Sequence, residues 1–111
     1  LKRLPASTLW GRPEREVFEW LRAALRGRVR EAYVFGSFAT GTVHRHSDLD
    51  LILVCDTAAR FLDRALAFDD LRNACPELDL LVYTPEEFAR LTVDPSPGFW
   101  TSVTSTMRRV V

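Results

Sequence analysis

AYVFGSFATGTVHRHSDLDLILV, running from Ala32 to Val54, is the stretch whose reading decides the fold. An apolar run ends at Gly36-Ser37, a short helical segment and a polar loop follow, and a second apolar run resumes with Asp48 and Asp50 inside it. Side chains on a strand alternate between its faces, so these aspartates project the same way, roughly 7 Å apart along the chain. Brought to about 4 Å at an effective dielectric near 20, two carboxylates repel by roughly 4 kcal/mol. A divalent cation turns that cost into an attraction, and hard oxygen ligands of this kind suit Mg²⁺.

The turn between the two runs has its own chemistry. Glycine permits a tight turn and close backbone approach, and a helix that opens there offers free N–H groups to a phosphate, with the Ser37 hydroxyl as a further donor. Gly36 and Gly41 have the spacing of a Walker A loop, but Thr42-Val43 follow where Lys-Ser/Thr is required, so the P-loop reading fails. No GxGxxG is present, and the dinucleotide fingerprint fails with it. A Gly-Ser turn alone is an ordinary turn; its weight comes from the acids that follow. Asp79, inside the apolar run LDLLVY of Leu78 to Tyr83, supplies a third carboxylate. If the two acid-bearing strands are neighbours, all three acids can surround one or two cations.

Outward from this stretch, Val17, Trp20, Leu21, Ala24 and Leu25 recur at helical spacing, which predicts a helix from Pro13 to about Arg26 that Gly27 stops. Arg30 to Phe35 reads as a short buried strand. Phe61, Leu62, Ala65, Leu66, Phe68 and Leu71 predict one amphipathic helix over about 58–74 with a wide apolar face, ended by Pro76. Thr84-Pro-Glu-Glu87 has the form of a capping box and predicts a helix to about Leu91. A Pro-rich loop over 94–98, a helix from about Phe99 and an edge strand over 108–111 complete the chain. Helices alternating with three or four strands predict an α/β (α+β) class, helices packed on a small mixed sheet, in a single domain spanning 1–111.

Composition narrows the function. Of 111 residues, 47% are apolar and the net charge is zero, which fits a globular domain and argues against a general nucleic-acid binder. Residues 1–30 carry eight Lys/Arg against three Glu, so this third is basic and the remainder acidic. No apolar run reaches the roughly 18 residues of a membrane span. Cys55 and Cys75 sit in no metal-binding spacing and read as free thiols, which places the expected location in the cytoplasm.

The segment GSFATGTVHRHSDLDLILV resembles the signature of the DNA polymerase β-type nucleotidyltransferases, and more closely that of their minimal members (MNT): Gly-Ser, ten residues, Asp-x-Asp, then an apolar-Asp-apolar strand. Gly36, Ser37, Asp48, Asp50 and Asp79 match those positions one by one, within a resemblance that covers Ala32 to Glu87. The resemblance implies a polymerase β palm-like fold and Mg²⁺-dependent transfer of a nucleoside monophosphate, usually AMP from ATP, to an acceptor hydroxyl. Asp48, Asp50 and Asp79 would hold one or two Mg²⁺, Asp79 also lowering the pKa of the acceptor hydroxyl. Gly36 and Ser37 would bind the β- and γ-phosphates. Members this small often pair with a separate helical protein of the HEPN type and act as its antitoxin, and oligomers are also compatible.

Thr40 departs from the pattern, since many members carry Arg there. That departure supports an alternative, a catalytically silent module that binds and masks a partner. Arg45 stands nearby as a candidate substitute. His44 and His46 read as solvent-facing loop residues, and Trp10, Trp20 and Trp100 as core or interface anchors. Trp100, beside Pro97-Gly98-Phe99, is the expected partner contact.

Overall fold

The computed structural model describes residues 14–36, 39 and 49–111, and among these described residues four strands and five α-helices of several residues arise from these patterns. Helix α1 spans Glu14–Leu25 and buries Val17, Phe18, Trp20, Leu21, Ala24 and Leu25, the apolar stripe its spacing predicts. Gly27, at φ 78°, turns the chain out of the helix, and Arg28 N–H bonds the Leu25 carbonyl at 2.9 Å. Strands β1 (Glu31–Phe35), β2 (Leu49–Val54), β3 (Leu78–Tyr83) and β4 (Arg108–Arg109) form one sheet in the order β3-β2-β1-β4. The β1–β2 and β1–β4 pairs are antiparallel, while β2–β3 is parallel.

The sheet is covered on both faces, which is why β2 is nearly continuous apolar sequence rather than alternating. On one face Ala32, Val34, Leu49, Leu51, Leu53, Leu78 and Val82 pack with α1 and with Phe68, Leu71 and Ala74. On the other, Tyr33, Phe35, Ile52, Val54, Leu81 and Tyr83 meet Phe88 of α4 (Pro85–Val93) and Trp100 and Val103 of α5 (Phe99–Thr106). Asp50 is the one interruption in β2, and its position in the alternation puts it on this second face.

The crossover from β2 to β3 departs from the expected single helix. It is a short helix α2 (Phe61–Arg64), a 3₁₀ turn (Ala65–Phe68) and a helix α3 (Asp69–Ala74). Leu62 is 88% exposed and Leu66 64%, whereas Phe68 and Leu71 are buried. A 3₁₀ segment turns about 120° per residue against 100° in an α-helix, so four residues rotate the following face by roughly 80°. Arg64 fixes which side faces inward: its guanidinium is almost buried, bonding the carbonyls of Ala59 and Val82 and the carboxylate of Glu87.

Thr84-Pro-Glu-Glu87 caps α4 as its sequence predicts, with Glu87 N–H donating to Thr84 Oγ1 and Thr84 N–H donating to Glu87 Oε1. The final strand is shorter than expected. β4 pairs Arg108 and Arg109 with Val34 and Tyr33, and Arg108 forms an ion pair with Glu14 that ties this edge to α1. Cys75 is buried, Cys55 is half-buried, and no disulfide joins them.

Candidate functional site

Strand register decides which acids meet. Asp50 on β2 is the direct partner of Asp79 on parallel β3, and of Phe35 on antiparallel β1. Direct partners point to the same face, and neighbouring strands run about 4.8 Å apart, so Phe35, Asp50 and Asp79 form one row across the end of the sheet. Leu49 N–H donates to the Glu77 carbonyl at 2.9 Å, which pins the start of β2 to the entry of β3 and fixes the row. Asp50 is half-buried and Asp79 is exposed, so the row opens to solvent at the β3 side.

Gly36 closes the β1 end of the row. Its φ of 73° lies in the left-handed region, and the Ala39 N–H bonds its carbonyl at 3.1 Å, so the chain turns sharply as the strand ends. A Cβ at this position would stand 3.3 Å from Asp50 Cγ and run into Oδ2. Glycine is therefore required twice, by the turn and by the carboxylate pressed against it. Sequence reasoning identifies Gly36 as a phosphate-turn residue; its contact with Asp50 has no local sequence signal, because it joins positions on separate strands.

Two like charges at about 5 Å and an effective dielectric near 20 repel by about 3 kcal/mol. Carboxylates facing one way from adjacent strands are hard oxygen donors suited to a small divalent cation. Among the described residues no group of three or more His, Cys, Asp or Glu side chains is placed to hold a metal. Asp48, Ser37, Thr40, Arg45, His44 and His46 lie outside the described residues, so of the predicted site residues Gly36, Asp50 and Asp79 are the ones brought together here.

Phe35 and its neighbours border the acids, and nothing in the sequence signals this. Phe99, at the start of α5, meets the Phe35 ring edge-to-face at 5.8 Å and remains 51% exposed. One row deeper, burial and a hydrogen bond to Glu31 raise the Tyr33 hydroxyl to about 12, so it stays protonated and serves packing. Trp100, the expected partner contact, is half-buried and stacks edge-on with Tyr83 at 5.4 Å. A shallow cavity of about 260 Å³ lined by Tyr83, Glu87, Arg90 and Leu91 lies elsewhere. Tyr83 is four positions along β3 from Asp79, roughly 13 Å, so this cavity belongs to the opposite end of the sheet.

Residues 21–94 match the sequence profile of the family described as Polymerase beta, Nucleotidyltransferase. A toxin-antitoxin solved with AMP-PNP is similar in structure, with a TM-score of 0.55 and 21% identity over 88% of this chain and 72% of that one. A mutant of the toxin-antitoxin MntA-HpeT is similar at a TM-score of 0.51 and 18% identity, covering 89% of this chain and 73% of that one. At such identities the likeness speaks for the fold alone. Comparison with curated proteins finds no match. No helix among the described residues is long and apolar enough to cross a membrane.

Proposed function

The chain belongs to the polymerase β-type nucleotidyltransferase family, and from that premise we propose that it is a minimal member of it, transferring a nucleoside monophosphate, AMP from ATP, to an acceptor hydroxyl. The observation that carries this reading is the row at the sheet end, where Asp50 and Asp79 are register partners and Gly36 lies against Asp50. In the reaction, the acceptor oxygen attacks the α-phosphorus, the bond to the bridging oxygen breaks, and pyrophosphate leaves. Asp79, on the solvent side of the row, takes the acceptor's proton or holds its hydroxyl. Asp50, together with Asp48, provides the carboxylates for Mg²⁺. When bound, the metal offsets charge on the attacking and leaving oxygens. The backbone beyond Gly36 and the Ser37 hydroxyl receive the β- and γ-phosphates.

The acceptor belongs to a separate protein in this proposal, a helical partner of the HEPN type. Family resemblance supports this, as do toxin-antitoxin systems among the structures that share the fold. Thr40, where many members carry Arg, favours a second reading in which the chain masks such a partner without modifying it. Incubation with α-labelled ATP, Mg²⁺ and the partner separates the two. Label on the partner that vanishes with Asp50→Asn supports transfer. An unlabelled partner that is still neutralised by both wild type and Asp50→Asn selects the masking module.

A further inference from the structure

Five large apolar side chains of the described residues are exposed: Phe61, Leu62, Leu66, Val93 and Phe99. Of these, Phe99 has a ring contact with Phe35, the aromatic neighbour of the acids in the row. Its ring meets Phe35 at 5.8 Å, and Phe35 is the register partner of Asp50 on the same face. One strand spacing and one ring contact place Phe99 on the order of 10 Å from the Asp50 backbone. A ribose and base can bridge that span from a phosphate held at the row.

The ring is also held in place. Phe99 and Trp100 meet at 5.6 Å with their planes 85° apart, and Phe35 fixes the other side, again at 85°. Gly98, at φ 92°, turns the chain into α5. The turn is secured by Ser102 N–H to the Gly98 carbonyl at 3.0 Å, and by Thr101, which donates from both N–H and hydroxyl to the Ser96 carbonyl. A rigid, half-exposed aromatic ring loses little conformational entropy when a flat ligand covers it. Base-on-aromatic stacking is worth enough to shift affinity by about ten-fold or more. Leu62, Leu66 and Val93 offer no such surface, and Phe61 packs against Tyr83 at the other end of β3.

We propose that Phe99 is the base-contacting residue of this site, a platform on which the nucleobase of the triphosphate stacks while its phosphates reach the acid row. The inference rests on the nucleotidyltransferase reading and adds to it where the base lies and what holds it. Phe99 contributes to binding and to placing the α-phosphate, and takes no part in the proton or phosphoryl chemistry.

Calorimetric titration of the full chain with ATP and with inorganic tripolyphosphate, each with Mg²⁺, isolates the contact. Phe99→Ala is expected to weaken ATP by about ten-fold or more while leaving tripolyphosphate unchanged, and Phe99→Tyr to retain ATP affinity. A half-exposed ring can be removed without unfolding the chain, which the melting curve verifies. ATP affinity unchanged in Phe99→Ala, or an equal loss for both ligands, overturns the platform and leaves the proposed function standing. Wild-type protein that binds neither ligand overturns both. Loss of both ligands in Asp50→Asn with the Phe99→Ala pattern intact supports both together.

Discussion

The two ends of the sheet use carboxylates in opposite ways. At the β3–α4 end, Glu87 accepts from Arg64 at 2.6 Å and from the Thr84 N–H at 2.9 Å, and this pairing pulls its carboxyl down to about 2. At the other end, Asp50 and Asp79 stand side by side in register, and Asp79 forms no ion pair among the described residues. One carboxylate is consumed by structure, and the other two face the same way from adjacent strands, the arrangement on which the proposed metal site rests. The difference teaches that the acid held by an almost buried arginine serves the scaffold, whereas under the proposed function the two acids paired by register serve the chemistry.

The sharpest way to break this contrast is to neutralise one acid at each end. Asp50→Asn keeps the shape of the side chain and is expected to cost at least about 10³-fold in transfer rate, the several kcal/mol a metal-held carboxylate would contribute in the proposed site, with the melting temperature in the absence of metal unchanged or raised, since one of two facing like charges is removed. Glu87→Gln should do the reverse. A Glu87 variant that abolished labelling at a temperature where it remains folded would erase the division between the two ends.

Gly36→Ala tests whether the acid row depends on its backbone wall. A left-handed φ costs an alanine about 1–2 kcal/mol, and the new methyl must also displace the Asp50 carboxylate. A destabilisation of about 2–3 kcal/mol by denaturant titration is expected, with transfer lost beyond what unfolding explains. Gly27→Ala is the control, because its φ of 78° is similar but nothing lies within 4 Å of its added Cβ. Equal effects at the two glycines would mean that the contact with Asp50 is immaterial.

Glu87→Ala is expected to destabilise by about 2 kcal/mol, less than a fully buried pair would give because Glu87 is partly in solvent. The loss combines a helix cap with a nearly buried Arg64 left without its carboxylate. Since the folded value lies below the unfolded one, the stabilisation is complete above about pH 4.5 and is lost as pH falls towards 2. Stability measured from pH 6 downward should therefore fall more steeply in wild type than in the variant.

Which of these features could be read from the sequence follows from how far apart their parts lie. The α4 cap was legible because Thr84, Pro85 and Glu87 are contiguous, and β3 because LDLLVY is one run. The mixed sheet followed from the alternation of runs, and Asp50 and Asp79 stood out as charges inside apolar strands. The pairings between distant parts of the chain were not legible: Gly36 against Asp50 and Phe35 against Phe99 at the candidate site, and Arg64 with Glu87 at the other end, are each set by strand register or by packing across the sheet. The register itself, Asp50 opposite Asp79, is a property of the parallel ladder that neither strand encodes alone.

The crossover linking the two ends gives the smallest expected effect and the clearest check on why the sequence misled there. Its apolar residues fit a single helix, yet the 3₁₀ turn at Ala65–Phe68 and the inward Arg64 leave Leu62 and Leu66 facing out. Replacing both leucines with Gln should change stability by no more than about 0.5 kcal/mol, the range of ordinary surface substitutions. Leu71→Ala, a few residues on and fully buried, should cost about 2–5 kcal/mol. If the double leucine variant instead lost several kcal/mol, the crossover would pack as the uninterrupted amphipathic helix its spacing predicts. Arg64 could not then reach both Val82 and Glu87, and the end of the sheet assigned to structure would need another anchor.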